Sequence, residues 1–316
     1  MNREILKAIA LLKASENIAI PTETVYGLAA NAYDEIAIKK IFETKGRPLF
    51  NPLIVHIHSI DYLDKVANSI PPKAQVLAEH FWPGSLTLVL PKNHNIPDLV
   101  TAGKATVAVR VPNHPLTLEL LHNLDFPLVA PSANPFGSIS PTTAQHVSDY
   151  FQERIPLILD GGACQNGIES TIIGFEGDDP ILYRLGALSL DEIESVIGKV
   201  KIKTTNEISP EAPGMLLKHY APSTETIIVD AIENFIQNNQ TKNIGTLTFY
   251  KAVSSENVVH QEIVSPKKNY KEAAAELYKA LHRLDKMNLS LIVVERFPNE
   301  SLGQSINDRL ERATKK

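Results

Sequence analysis

Pro127-Leu128-Val129-Ala130-Pro131-Ser132-Ala133-Asn134 runs an apolar segment straight into a hydroxyl and a carboxamide. An apolar run stopped by a proline reads as a short strand, which puts Ser132 and Asn134 at the strand's end. Earlier in the chain, Lys45-Gly46-Arg47-Pro48 offers a Lys point charge and an Arg fork, on a turn whose glycine lets a ligand approach the backbone. Two cations and two neutral hydrogen-bonding groups are what a polyphosphate and a polar acyl acceptor need. Lys-x-Arg alone is most often a solvated turn, so the weight rests on its surroundings.

Strand signals recur on both sides of that segment, at residues 17–20, 53–57, 85–90, 106–111, 157–160 and 170–173. Helices are expected near 35–44, 71–81, 115–123, 141–151 and 189–197, the fourth with Ser140 as N-cap and Pro141 at its first position. Such a mixture predicts an α/β or α+β domain built on a mixed sheet with irregular loops. Polar residues 199–206, then Pro210, Pro213, Gly214 and Pro222, mark a boundary. Beyond it, strands at 226–229, 244–249, 260–264 and 289–294 alternate with helices at 232–238 and 270–287, the pattern of a small parallel α/β sheet. That half has no GxGxxG or P-loop signature.

A chain of 316 residues, 43% hydrophobic and 21% charged, has the composition of a two-domain globular enzyme. Its single cysteine, Cys164, excludes an internal disulfide and a Cys-based zinc site; it reads as an inert small residue in a reducing, cytoplasmic compartment. Ile5, Leu6, Ile9 and Leu12 recur at helical spacing between Lys7 and Lys13, the pattern of an amphipathic helix rather than a signal peptide. No apolar run reaches the length of a membrane span. Residues 1–208 carry 17 Lys and Arg against 23 Asp and Glu, net −6; residues 209–316 carry 14 against 13, net +1. Neither half has the basic surplus of a domain that grips a nucleic acid backbone.

Four motifs follow one another in order: Pro21-Thr22-Glu23-Thr24-Val25-Tyr26-Gly27-Leu28, Lys45-Gly46-Arg47-Pro48, Asn51-Pro52-Leu53-Ile54-Val55-His56 and Pro131-Ser132-Ala133-Asn134. Together they resemble the YrdC-like threonylcarbamoyl-AMP synthase family. Asp160-Gly161-Gly162, Gly167-Ile168-Glu169-Ser170-Thr171 and Pro213-Gly214-Met215 through His219-Tyr220-Ala221-Pro222 resemble its longer, two-domain form. The resemblance implies a YrdC-like mixed-sheet catalytic domain over 1–208, a bridging linker over 209–224 and a smaller, Rossmann-like parallel α/β domain over 225–316. It also implies a reaction: L-threonine, bicarbonate and ATP give threonylcarbamoyl-AMP and pyrophosphate. A downstream threonylcarbamoyl transferase then acts on tRNA.

Lys45 and Arg47 are the candidate catalytic residues, poised for the triphosphate. By resemblance Asn51, Thr106, Ser132, Asn134, Ser140, Arg184 and Tyr220 also contact ATP, while Thr24, His56, Ser170 and the Ala130 backbone line a threonine pocket. Arg110 stands in Thr106-Val107-Ala108-Val109-Arg110-Val111, a stretch too apolar for a solvated charge. It needs a partner, either the threonine carboxylate that the resemblance implies or a structural Asp or Glu. Arg184-Leu185-Gly186 departs from the family's usual Arg-Pro-Gly. His56 and His58 fall on one side of a strand, but no further ligand completes a metal site, and magnesium is expected to come with the ATP phosphates. The stiff prolines, Gly214, Lys218 and His219-Tyr220 of residues 209–224 suit a strap over the nucleotide. Rival readings are an RNA-binding module, which the acidic first half disfavours, and a hydrogenase-maturation protein, whose Cys-rich zinc modules are missing.

Overall fold

Asp34 and Gly46 bracket the helix that presents the first cationic motif. The Asp34 carboxylate accepts from Ile36 N and Ala37 N at the N-terminus of helix Glu35–Lys45. Gly46, at φ +61°, ends it in the left-handed region, with Gly46 N donating to Glu43 O and Arg47 N to Phe42 O. That closure turns the chain sharply, so Lys45 stays on the last helical turn and Arg47 leaves it. In this computed structural model residues 2–203, 219–239 and 241–315 are described. Pro210, Pro213, Gly214 and Lys218 of the expected linker lie outside them.

Among the described residues two sheets organise the chain. The first takes strands β1 (Ile18–Ile20), β2 (Gly27–Asn31), β3 (Ile54–His56), β4 (Leu86–Pro91), β5 (Thr106–Arg110), β6 (Leu128–Val129), β7 (Thr171–Glu176), β8 (Asp179–Arg184) and β9 (Lys201–Ile202). Their spatial order is β1-β2-β6-β3-β5-β4-β7-β8-β9. The pairs β3–β5, β4–β7 and β8–β9 are parallel and the others antiparallel, so the sheet is mixed as the sequence implied. The second sheet has order β10-β13-β11-β12, from Thr226–Val229, Leu291–Glu295, Ile244–Thr248 and Val258–Ile263, and every pair in it is parallel.

Several expectations need correction. Residues 157–160 do not form a strand: Ile158 makes one isolated bridge to Ala19, held by Ala19 N to Leu157 O and Leu159 N to Ala19 O, both 2.9 Å. Ser140 does not cap a helix. That helix runs Ala144–Phe151 and its cap is Thr143, which accepts from His146 N. Pro141 instead gives its carbonyl to Tyr26 N at 2.8 Å, tying the segment to the start of β2. Strands β2, β8 and β9 and the helix Gly303–Ala313 were not read from the sequence.

The two sheets share apolar packing. Val25, Ile139 and Ile168 from the first part and Tyr220 beyond it pack in one buried cluster with Leu277, Tyr278 and Leu281 of helix Tyr270–Asp285 and Ile306 and Leu310 of helix Gly303–Ala313. Gly167 lies close against the helix Tyr270–Asp285. A Cβ there would stand 2.5 Å from Ala274 O, on a backbone already at φ +69°. Gly167→Ala is therefore expected to cost at least about 1–2 kcal/mol from the left-handed backbone alone, and more from displacing the helix. Chemical denaturation reads this; an unchanged midpoint would show that the contact is loose. No helix among the described residues is long and apolar enough to cross a membrane.

Candidate active site

Strand pairing delivers the polar groups to one place. His56 ends β3 directly opposite Arg110 at the end of β5, and β6 pairs on the other side of β3. Gly27, which opens β2, bridges to Ser132 just beyond β6. The ends of these strands enclose a pocket. Arg47, Ser132, Arg184, Tyr220, Thr24, His56, Arg110, Ala130 and Ser170 all line it.

Other candidates stand behind that wall. Lys45 is buried, and its Nζ donates to Ser132 O at 2.5 Å and to Asn134 O, so it fixes the loop after β6. Asn134 Nδ2 donates to Pro135 O and Ser138 O, both 2.9 Å, closing the same loop. Asn51 is wholly buried, and neither its amide nitrogen nor its amide oxygen has a partner among the described residues. Ser140 Oγ donates to Glu169 at 2.6 Å. Thr106 lies at the other end of β5 from Arg110, outside the pocket lining.

Arg47 and Arg110 are satisfied in opposite ways. Arg47 is buried and among the described residues donates only to backbone carbonyls, Nε to Asn51 O at 3.3 Å and Nη2 to Pro52 O at 2.8 Å. Among the described residues neither it nor Lys45 has a hydrogen bond or ion pair to a carboxylate. Burial, with Arg47's charge behind it, holds the Lys45 pKa well below its ordinary value. Arg110 has the acidic partner that a buried Arg requires. Its Nη2 donates to Glu23, Nη1 to Thr24 Oγ1 at 2.9 Å and Nε to Gly84 O at 3.2 Å. Those bonds leave one N–H on each Nη for a ligand carboxylate. Burial raises the Glu23 pKa, but the charge and hydrogen bond of Arg110 outweigh it and keep the carboxylate ionised.

Two hydroxyls and an imidazole complete the wall. Ser170 Oγ shares a hydrogen bond with Thr87 Oγ1 at 2.7 Å, and Arg184 donates to both Ser170 O and Ser170 Oγ. His56 Nδ1 donates to Ile54 O at 3.1 Å, which leaves Nε2 as an acceptor. His58 departs from it and packs against Tyr62 and His122 at 5.0 and 4.7 Å. Among the described residues no group of three or more His, Cys, Asp or Glu side chains could hold a metal ion. Glu23 and Glu169, the nearest carboxylates, are already paired with arginines. Among the described residues, then, no side chains form a magnesium cage.

The sequence reading missed three participants. Glu169 lines the pocket yet bonds Ser140, Tyr278 and Arg309. Glu23 neutralises Arg110, and Arg309 comes from the far end of the chain. Only Glu23 and Glu169 had a signal, their places within the quoted motifs.

Buried ionisable groups make the fold acid-sensitive. Burial lowers His56 and His219 from 6.5 to about 3. Glu169, although burial alone would raise it, is pulled from 4.5 to about 2 by Arg309 and then Arg184. All three are depressed, so the unfolded chain binds protons that the folded chain refuses. Stability is complete above the unfolded values and falls as pH drops, first through the histidine window of 6.5 to 3 and then below 4.5. Each histidine contributes at most about 1.4 kcal/mol per pH unit. Urea midpoints at about pH 7.5 and about pH 5 check this, and a midpoint that holds or rises on acidification contradicts it.

The chain is similar to known proteins along nearly its whole length. The family model described as "Telomere recombination", covering Sua5, YciO and YrdC, matches residues 10–186, and that described as "Threonylcarbamoyl-AMP synthase, C-terminal domain" matches 188–314. The threonylcarbamoyl-AMP synthase of Pyrococcus abyssi is 41% identical, across 97% of this chain and 93% of its own length. That of Bacillus subtilis is 41% identical across 98% and 92%. A crystal structure of P. abyssi Sua5 complexed with L-threonine superposes with a TM-score of 0.92 at 40% identity, covering 98% of this chain and 94% of that one.

Proposed function

This chain belongs to the Sua5, YciO and YrdC family in its two-domain form, and from that membership we infer the work of its pocket. It is a threonylcarbamoyl-AMP synthase, a nucleotidyltransferase of tRNA modification. We propose L-threonine, bicarbonate and ATP as its substrates. The amine of threonine and bicarbonate give a carbamate and water; a carbamate oxygen attacks the α-phosphorus, and pyrophosphate leaves. Positioning and charge neutralisation supply most of the rate in such a transfer.

One observation carries the ATP assignment: Arg47 and Lys45 are buried side by side with no carboxylate partner among the described residues. Burying cations unpaired is costly, and a polyphosphate supplies the matching charge. We assign Arg47, Arg184 and Ser132 to the phosphates, with Lys45 and Asn134 holding the Ser132 loop and with Asn51 and Tyr220 as further nucleotide contacts. Ser140 and Thr106 complete that proposed set. Arg110 takes the threonine carboxylate beside Thr24, Ser170 and the Ala130 backbone, and His56 Nε2 accepts from the threonine hydroxyl. Magnesium comes as the companion of the ATP phosphates, and no step is assigned to a protein-held ion.

We place the catalytic domain at 1–208, the bridge at 209–224 and the second domain at 225–316. Support comes from β9, which still pairs with β8, and from β10, which opens the second sheet at Thr226. The net −6 of the first part favours a small anionic ligand over a grip on RNA. A separate transferase then carries the adenylate onward to tRNA, and the single reduced cysteine suits the cytoplasm.

Pyrophosphate release, with threonine and bicarbonate each omitted in turn, tests the reading. Release is expected to need both. Serine, which lacks only the methyl group, should fall about 10–200-fold in kcat/KM, and valine further, because the hydroxyl's partner is left unpaired. Release indifferent to threonine, or equal for all three amino acids, would remove the pocket from this role.

A further inference from the structure

Among the described residues the largest fully buried side chain, Arg309 of the second domain, serves the first. Arg309, on helix Gly303–Ala313, is only 1% exposed. Its Nε donates to Glu169 Oε2 at 2.9 Å and its Nη2 to Leu185 O at 2.6 Å. Its guanidinium also stands 5.3 Å from the centre of the Tyr220 ring. The preceding helix adds Tyr278, whose hydroxyl lies 3.0 and 3.2 Å from the two Glu169 oxygens, and His282, whose Nε2 lies 3.2 Å from Ser140 O. Ser305 Oγ donates to Gly186 O at 2.8 Å. Apart from the His282 contact, these land on, or one or two residues from, Glu169, Arg184 and Tyr220 of the pocket wall.

A carboxylate on the wall of a polyphosphate pocket is an electrostatic liability, since like charges in a low-dielectric site repel strongly. Glu169 is such a carboxylate. Apolar packing could have joined the domains without placing an arginine against it. We propose that Arg309 is a positioning residue for the nucleotide: it neutralises and fixes Glu169 and braces Tyr220, so the seated second domain sets the affinity of the pocket for ATP. Glu169, without Arg309, turns its charge on Arg184 and on the incoming phosphates. The second domain is then a counter-charge supplied to the site, and any loosening of its seat weakens nucleotide binding before it touches threonine binding. This inference rests on the assignment of ATP to the pocket.

The test titrates a non-hydrolysable ATP analogue and, separately, L-threonine into the full-length wild type, Arg309→Met, Glu169→Gln and the double variant. Arg309→Met is expected to weaken nucleotide binding about 5–150-fold, with threonine affinity little changed. Adding Glu169→Gln should recover most of that loss, because the uncompensated charge is gone. Arg309→Lys, which keeps the charge, should stay near wild type. A double variant no better than Arg309→Met, a Lys variant as weak as the Met variant, or equal losses for nucleotide and threonine would each overturn the proposal. If Arg309→Met does not fold, the Glu169→Gln background decides: recovered folding with nucleotide binding supports it, and anything less overturns it. A wild type that binds no nucleotide would instead refute the ATP assignment.

Discussion

Arg47→Ala is expected to lower kcat/KM for adenylate formation by roughly 10²–10³-fold, the usual loss when one group facing developing charge is removed. The fold should not suffer in proportion. Among the described residues Arg47 donates only to Asn51 O and Pro52 O and meets no carboxylate, so its removal leaves two carbonyls to water but relieves a buried charge. The expected unfolding midpoint is unchanged or slightly higher, the signature of a residue kept for function at the expense of stability. A lower midpoint with unchanged kinetics would make Arg47 a structural residue. Lys45 should behave differently. Its ammonium ties Ser132 O and Asn134 O, so Lys45→Ala loses activity by loosening the loop and costs stability as well.

Arg110→Ala should damage both fold and function. Glu23 would remain buried with its countercharge gone, a change that costs about 3–5 kcal/mol in comparable pairs. Ser85 Oγ and Asn113 N still donate to it, at 3.0 and 2.9 Å, but they carry no charge. Threonine affinity should vanish with the guanidinium. Glu23→Gln added to Arg110→Ala is expected to restore much of the midpoint and none of the threonine binding. Urea denaturation and threonine titration separate the two losses, and recovery of both by the double variant would contradict the assignment of Arg110 to the carboxylate.

Apolar runs made most of the first sheet legible, because β3, β4 and β5 are rich in Val, Leu and Ile. Strand β2, Gly-Leu-Ala-Ala-Asn, was not, since glycine and alanine have little strand preference. It is a strand because β1 and β6 pair on both its edges. Strand β8 begins Asp-Pro, a turn signal, and only the Gly177 hairpin from β7 reveals it. Helix Gly303–Ala313 has no side-chain N-cap, so its start carried no mark. Ser140 looked like a cap, but its hydroxyl is taken by Glu169.

The site divides the same way. Lys45, Arg47 and Ser132 were legible as local clusters, and Arg110 as a charge in an apolar strand. The Arg110–Glu23 pair spans 87 residues and Arg309–Glu169 spans 140, and spacing gives no sign of either. Such pairs become visible only when the sheet and the second domain bring distant segments together.

The central claim is that this pocket joins threonine, bicarbonate and ATP into one adenylate. Incubating the full chain with ATP, L-threonine and carbon-13 bicarbonate, then separating the products by mass spectrometry, tests it most directly. The account predicts an adenylate that carries the bicarbonate carbon in its carbamoyl group, formed in step with pyrophosphate. An unlabelled threonyl adenylate, or AMP formed whether or not threonine is present, would contradict it.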